Sequence, residues 1–416
     1  MFCTHCGAQL EEGVRFCSVC GKETRRSSKP APVPHPPAPE PVPNPIPVPE
    51  PQPAPRRSGT ARKLVAAAVC LLATPAVRKF ACKIGAMDMP GESRRVHDHP
   101  IPRLGGLALF AGFLAGVLPF TGIDEPVQGI LLGSVIIVVT GAVDDLVSLR
   151  PWVKLVLQIA AAVVAIRHGV VIRILTNPGD ASAEAIALGA LSVPVTLLWI
   201  VGMTNALNLI DGLDGLAAGV CGIGCASMLA VSLFLPQATE ISVLVAALGG
   251  ACLGFLPFNI NPAKIFMGDS GSLLLGYVLS TASVLGLFKM YTLVAFAVPV
   301  LTLALPLTDT VFAVVRRVSR GESPFHADRG HIHHRLLALG LTQKQAVAVL
   351  YAASGILGAA AVLLAANAAM RFWLLLGAVA LALGIWLYVF AGHHFPSNPS
   401  AKAPEKDKKE DGSTKP

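Results

Sequence analysis

The feature that most restricts this chain is a series of about eleven apolar segments of near-spanning length between Arg62 and Phe390, each interrupted by Gly, Pro or charge. They fall near 63–83, 104–121, 127–143, 153–168, 189–206, 215–235, 241–257, 272–288, 291–313, 345–365 and 370–391. Inside hydrocarbon only helices or a closed barrel satisfy the backbone, and runs such as Leu131 to Val143 lack the period-two alternation of barrel strands. The expected fold class is therefore an all-α polytopic membrane protein with about 11 transmembrane helices. Composition agrees, because charged residues make up 14% of 416, too few to cover several water-facing domains that would need about 25%. The net charge of +8 is spread along the chain, which suits anionic headgroups or phosphorylated ligands and gives no nucleic-acid-binding arm.

Polar sequence is confined to the ends. Residues 1–24 hold four of the nine cysteines, and 14 of the 33 prolines fall between Pro30 and Pro55. The expected domains are a small cysteine module at 1–24, a Pro-rich linker at 25–60, a membrane body at 61–392 and a charged, disordered tail at 393–416. Met1 is followed by polar, cysteine-rich sequence and no apolar h-region, so the first hydrophobic helix is expected to direct insertion.

Loop parity gives the first functional clue. Alternating spans place the loops 84–103, 144–152, 207–214, 258–271 and 314–344 on one side, together with the C-terminal tail. These loops hold most of the Arg and Lys, so by the positive-inside rule that side is cytoplasmic, in the plasma membrane.

The same loops hold the chemistry. Asp144 and Asp145 end the third span in GAVDDLVSLRPWVK; near a helix end both can line one cavity, one as base or metal ligand and the other orienting it, while a charged interfacial stop is the plainer reading. Lys154 can snorkel to headgroups or bind a phosphate. In NALNLIDGLDGLAAG, Asn205, Asn208 and Asp211 at i, i+3 and i+6 share about a third of a helix circumference, and with Asp214 they form a hard-oxygen set suited to Mg²⁺ and a diphosphate. In NINPAKIFMGDSGSLLLG, Asp269 just precedes a new helix, with Ser270 or Ser272 available as N-cap; it is either a cation ligand beside a phosphate-binding helix end or simply a capping residue. The loop FHADRGHIHHRLL gathers His331, His333, His334 and two arginines, with His331 and His334 expected on one helix face, as a clamp for a diphosphate or a zinc site.

Taken together, the strings TPAVRKFACKIGAMDMP, RRVHDHPIPRLGG, VDDLVSLRPWVKLVLQ, NALNLIDGLDGLAAG, NPAKIFMGDSGS and DRGHIHHRL resemble the polyprenyl-phosphate N-acetylhexosamine-1-phosphate transferase family, over roughly Leu64 to Phe390. The related phospho-MurNAc-pentapeptide translocases share part of the pattern, but the HIHH spacing is more similar to the N-acetylhexosamine branch. The resemblance implies transfer of a sugar 1-phosphate, GlcNAc-1-phosphate in the first instance, from a UDP-sugar to undecaprenyl phosphate, with Mg²⁺ and release of UMP, as the first membrane step of a cell-wall or surface glycan. By position it implies Asp144, Asp145 and Asp269 as catalytic, and Asn208 and Asp269 as magnesium ligands. Lys154, Asn205, Asp211, Asp214, His331, His333 and His334 become substrate-binding residues. Direct attack by the lipid phosphate and a covalent aspartyl intermediate are both open. Translocase activity is an alternative, as is a transporter or nonenzymatic scaffold, although transporters place ionisable groups near the midplane and not in loops on one side.

Cys3, Cys6, Cys17 and Cys20 form two CxxC pairs ten residues apart, each followed by Gly, a spacing for a structural zinc ribbon; two disulfides are the alternative. Eleven spans with a cytoplasmic tail would put the ribbon outside, and a first segment that does not cross would put it in the cytoplasm. Cys70, Cys82, Cys221, Cys225 and Cys252 read as packing residues of the spans. The expected partners are the UDP-sugar, undecaprenyl phosphate and membrane lipids, with no nucleic acid; the ribbon's partner is not specified, and a homodimer is open.

Overall fold

The computed structural model describes residues 2–3, 5–11, 14, 16–23, 59–89, 99–175, 186–234, 239–286, 300–301, 303–319, 331–366 and 377. The chain divides into two units, Met1–Arg56 and Arg57–Pro416.

The first unit is built on two like knuckles. Cys3 N–H donates to Ala8 O and Cys17 N–H to Lys22 O, at 2.8 and 2.9 Å, while Gly7 and Gly21 close the turns with φ of 77° and 70°. Short bridges pair Phe2 with Gln9 and Phe16 with Glu23. Cys3, Cys17 and Leu10 are buried and form a core too small to hold a fold by itself.

The second unit is a helical body: α1 (Gly59–Ile84), α2 (Gly105–Val117), α3 (Glu125–Val147), α4 (Pro151–Arg167), α5 (Ser192–Ile210), α6 (Leu216–Ser232), α7 (Thr239–Asn259), α8 (Gly268–Gly286), α9 (Ala304–Ser319), α10 (Ile332–Ala338) and α11 (Gln343–Ala366). Two short antiparallel pairs interrupt it: β1 (Met87–Asp88) with β2 (Ile101–Pro102), and β3 (Ile174–Leu175) with β4 (Ile186–Ala187). Proline opens α3 and α4 at the first turn, where its missing N–H has no intrahelical role. Among the described residues, five helices can cross a bilayer by length and composition, α1, α3, α5, α7 and α11; α2, α6 and Ala304–Val315 of α9 are shorter apolar helices. Helices α4 and α8 match two further expected segments, whereas the expected span at 370–391 falls outside the described residues apart from Gly377, as does most of 291–303. Helix α9 runs on to Ser319, beyond the boundary expected at 313.

Helix α8 is the centre of the body. Every residue from Ser270 to Leu285 is buried, against α2, α3, α5, α6 and α7. Its Gly- and Ser-rich sequence lets these helices approach closely, as in other membrane packings. Gly141 of α3 lies so near that a Cβ there would strike the backbone of Ser270. Tyr277 donates to Ala161 O of α4 at 3.2 Å, and Trp199 of α5 donates to Ser283 Oγ at 3.0 Å, so α8 is also tied to its neighbours by hydrogen bonds. Cys70, Cys221, Cys225 and Cys252 are buried in this core, and Cys82 is exposed.

The segment after β2 is stitched to the loop before α8. Phe266 N–H donates to Pro102 O, Gly105 N–H to Phe266 O and Gly106 N–H to Met267 O, at 2.9 to 3.0 Å. The end of α3, the start of α8, the α1–α2 connection and the loops after α5 and α7 therefore converge.

Candidate active site

At that convergence the two adjacent aspartates of α3 do different work. Asp145 accepts from the Asp269 and Ser270 backbone N–H groups at 2.9 and 3.2 Å, and from Ser270 Oγ at 2.9 Å. It thus caps α8 from another helix, satisfying amides at a helix end and meeting its positive dipole with a carboxylate. Gly268, at φ 69°, leaves no room for a Cβ beside that carboxylate. This differs from the expected N-cap: Ser270 donates to Asp145, and Ser272 Oγ donates back to Gly268 O at 3.0 Å. Asp269 consequently sits inside the first helical turn, not before it.

Asp144 faces about 100° away around the helix. Its Oδ1 accepts from Leu149 N–H at 2.6 Å and its Oδ2 from Lys154 Nζ at 2.9 Å. The same ammonium reaches Asp269 Oδ2 at 2.9 Å, so Lys154 bridges two carboxylates from helices far apart in sequence. Asn208 completes the row, donating from Nδ2 to Asp269 Oδ1 at 3.0 Å and to Ser272 Oγ at 2.9 Å, which leaves its amide oxygen without a hydrogen bond among the described residues.

A cavity of about 500 Å³ opens here, with Asp145, Asn208, Asp211, Asp214 and Asp269 in its wall. Asp211 follows the last turn of α5, and its carboxyl is pushed up to about 8, first by burial and then by Asp269, Asp145 and Asp214. Asp214 is held in place: its Oδ2 accepts from Asn261 Nδ2 at 2.9 Å and Ala263 N–H at 3.0 Å. Asn259 and Tyr351 grip Gly215, and Asn261 also donates to Gln343 Oε1 at 2.7 Å, so loops after α5 and α7 and the start of α11 form one wall.

Asn205 lies elsewhere. It exchanges amide hydrogen bonds with Gln158 of α4, at 2.6 and 3.4 Å, and lies outside the cavity wall. The expected common face of Asn205, Asn208 and Asp211 is broken because α5 ends at Ile210, and one turn back along it the neighbour is α4.

The histidine segment is anchored by a residue that sequence reasoning missed. Asp309 of α9, 4% exposed, meets His331 Nδ1 with one oxygen and accepts from Ile332 N–H with the other, both at 2.9 Å. The signal was a carboxylate inside an apolar run, ALPLTDTVFAVV. Because α10 begins at Ile332, His331 stands before the helix and does not share a helical face with His334 as expected. The rings of His331 and His333 are parallel with centroids 5.8 Å apart, and His333 packs on Gly212, next to Asp211, where even a Cβ would collide. Burial, then His334, lowers the His333 ring to about 3, and its Nδ1 is buried without a partner among the described residues. His334 is half-buried beside it, with ring centroids 4.3 Å apart. His326, Asp328 and Arg329 lie outside the described residues. Asp88, His99, Arg103, Asn259, Asn261 and Gln343 also line the cavity without having been singled out as site residues from sequence.

Two cation sites can be tested on this geometry. In the ribbon, the Sγ atoms of Cys3, Cys6, Cys17 and Cys20 all lie within 4.8 Å of one another, with Cys3–Cys20 and Cys6–Cys17 at 3.7 Å. A ZnS₄ tetrahedron with 2.3 Å bonds has edges of about 3.8 Å, whereas a disulfide needs about 2.05 Å, so the set fits structural zinc. Backbone amides lower the Cys3 and Cys17 thiols toward the thiolate, whereas the crowding sulfurs raise Cys6, so the four become thiolates together only with a cation between them. In the membrane body, Asp269, Asn208 and Asp211 offer hard oxygens on one cavity; burial first, and then the neighbouring carboxylates, raise Asp211, and a divalent cation would offset the latter, so the donor set fits Mg²⁺ with retained waters.

A mainly helical body, with five described helices long and apolar enough to cross a bilayer and a polar cavity where helix ends meet, defines the class: a multi-pass membrane enzyme. Residues 127–287 match the glycosyl transferase family 4 model, and residues 2–24 match a zinc-ribbon domain. The chain is 42% identical over 296 residues to a probable undecaprenyl-phosphate N-acetylglucosaminyl 1-phosphate transferase of Bacillus subtilis, covering 71% of this chain and 81% of the relative. It is 36% identical over 320 residues to a decaprenyl-phosphate N-acetylglucosaminephosphotransferase of Mycobacterium tuberculosis, with 70% and 79% covered. An undecaprenyl-phosphate alpha-N-acetylglucosaminyl 1-phosphate transferase of Escherichia coli K12 is 29% identical over 323 residues, with 75% and 84% covered. The chain belongs to this family of polyprenyl-phosphate N-acetylhexosamine-1-phosphate transferases, with a zinc ribbon added at its N-terminus.

Proposed function

We propose that the protein transfers N-acetylglucosamine 1-phosphate from UDP-GlcNAc to undecaprenyl phosphate, releasing UMP, as the first membrane step of a cell-wall or surface glycan. The observation that carries this reading is the row Asp144, Lys154, Asp269, Asn208 beside a cavity that also holds Asp145 and Asp211. The names of the relatives support the sugar phosphate and the lipid class. The nucleotide donor, the direct route, the cytoplasmic face, eleven crossings and the four-part division at residues 24, 60 and 392 are parts of the same proposal, supported by the charge pattern.

In this mechanism an oxygen of the lipid phosphate forms a bond to the sugar-bearing phosphorus of the donor. The bond from that phosphorus to the bridging oxygen breaks, and UMP leaves with the electron pair. Asp269 and Asn208 would hold Mg²⁺, with Asp211 facing the same space, and the ion when bound supplies charge screening for the diphosphate. Asp144 fixes the Lys154 ammonium, which is placed to meet phosphate oxygens once it exchanges a carboxylate for the substrate. Asp145 holds the start of α8, and so the direction of Asp269. His333 packs on Gly212, next to Asp211, with His334 against it, both outside the cavity wall.

The test is purified protein with labelled UDP-GlcNAc, undecaprenyl phosphate and Mg²⁺. Lipid diphosphate and UMP are expected in equal amounts, with Asp269→Ala inserted in the membrane but inactive. Full turnover by that variant would refute the assignment, and a panel of other UDP-sugars would correct the donor.

A further inference from the structure

We infer that Arg103 is the residue that binds the phosphate of the lipid acceptor. The inference rests on the transferase reading above and adds the acceptor's own anchoring point.

The cavity wall carries five carboxylates, Asp88, Asp145, Asp211, Asp214 and Asp269, and among the described lining residues Arg103 is its one Lys or Arg. A lipid phosphate entering beside the donor diphosphate needs a cation of its own, because Lys154, held between Asp144 and Asp269, is a single charge for two anionic substrates. The Arg103 guanidinium is only partly engaged. Its Nη2 donates to Met87 O at 3.3 Å and lies 3.5 Å from Asp88 Oδ1, both contacts on one nitrogen, while Nε is buried without a partner among the described residues. Nη1 makes no hydrogen bond among the described residues, and it is the terminal Nη1 and Nη2 pair, not the buried Nε, that can meet two phosphate oxygens in the cavity.

Position selects the lipid phosphate over the nucleotide. Arg103 follows β2, directly after the hairpin that continues from Ile84, the last residue of the first membrane-spanning helix. Phe80 and Ile84, one turn apart on α1, are exposed at 49% and 41%, and Met89 at 58%. Arg103 N–H donates to Ala86 O at 2.9 Å, two residues past that helix, so a polyprenyl tail lying against this end of α1 stays in hydrocarbon while its phosphate reaches Arg103. Asn259, Asn261 and Gln343 line the cavity from other elements, and neutral amides there suit an uncharged heterocycle better than a phosphate.

The experiment uses the full chain in nanodiscs, comparing wild type, Arg103→Ala and Arg103→Lys. Binding of undecaprenyl phosphate and of uncharged undecaprenol is measured without donor, and steady-state KM is then measured for each substrate. For Arg103→Ala we expect binding of undecaprenyl phosphate to weaken, and its KM to rise, by about 30-fold, with undecaprenol binding and the KM for UDP-GlcNAc within about threefold of wild type. Arg103→Lys, which keeps the charge and loses the fork, should fall between. A rise confined to the UDP-GlcNAc KM, or undiminished lipid-phosphate binding in either variant, would overturn the inference. If Arg103→Ala does not fold, the lysine variant carries the same comparison. The donor-free binding reports on Arg103 even if wild type fails to turn over UDP-GlcNAc, a failure that would count against the transferase reading.

Discussion

Replacing Asp145 should unfasten α8, whereas replacing its neighbour Asp144 should not. Asp145 is 6% exposed and accepts three hydrogen bonds at 2.9, 3.2 and 2.9 Å, two of them from backbone amides at the start of the central helix. Alanine would leave the Asp269 and Ser270 amides buried and unpaired, at roughly 1–3 kcal/mol each, partly offset because a desolvated carboxylate is also removed. Helix caps set a lower bound of about 1 kcal/mol, so about 3 kcal/mol is a reasonable net loss. At roughly 2 °C per kcal/mol for a large domain, thermal melting in detergent should drop by about 6 °C. Asp145→Asn keeps one acceptor oxygen and should fall about half as far. Asp144→Asn still offers an oxygen to Leu149 N–H and should melt within about 2 °C of wild type while losing activity. Equal melting of Asp145→Ala and wild type, or equal destabilisation by both asparagine variants, would refute the division of labour between these two residues.

Three further outcomes follow from the same geometry. One zinc per chain should be found by metal analysis, and Cys3→Ser or a strong chelator should release it and unfold the ribbon; retention of full zinc by that variant would contradict tetrathiolate ligation. His333 is held at about 3 in the folded protein against about 6.5 when unfolded, so its contribution to stability is complete above about 6.5 and is lost as pH falls toward 3. Protection factors of the Ile332–Ala338 amides, taken relative to the intrinsic exchange rate at each pH, should fall between pH 7 and 5, and unchanged protection would show that the ring is not buried neutral. Asp211 has the opposite sign: a carboxyl raised to about 8 favours the folded state below about 3.9 and loses that advantage as pH rises through 8. With divalent cations chelated, melting should decline from pH 6.5 to 8 in wild type, above the range in which His333 acts, and stay level there in Asp211→Asn, while added Mg²⁺ should restore the wild type at pH 8. A level wild-type profile would remove the case for surplus charge at this site.

The membrane body was legible because hydropathy is additive along the chain, and a run of apolar residues needs no partner to declare itself. The ribbon was legible for a similar reason, since four ligands within 18 residues carry their geometry in their spacing. The candidate site was legible only as a set of residue types. Asn205 and Asn208 look equivalent in NALNLIDGLDG, yet one pairs with Gln158 and the other with Asp269. Asp309 had no motif around it, and Arg103 counted only as one more charge in the loop 84–103.

By itself, then, the sequence determined a polytopic helical protein with a separate tetracysteine module and the reactive side chains gathered at one set of helix ends. These follow from transfer energies and short-range spacing. Only the tertiary structure decided which aspartate caps α8 and which holds Lys154, that His331 belongs to Asp309, and that Arg103 faces the cavity. The cap on α8 depends on a contact 124 positions apart, between Asp145 and Asp269, and on a rotation of about 100° between neighbours on a helix, while the His331–Asp309 pair joins two separate helical elements 22 residues apart. A partner that distant in the chain leaves no local pattern, so the division of roles exists only once the helices have packed.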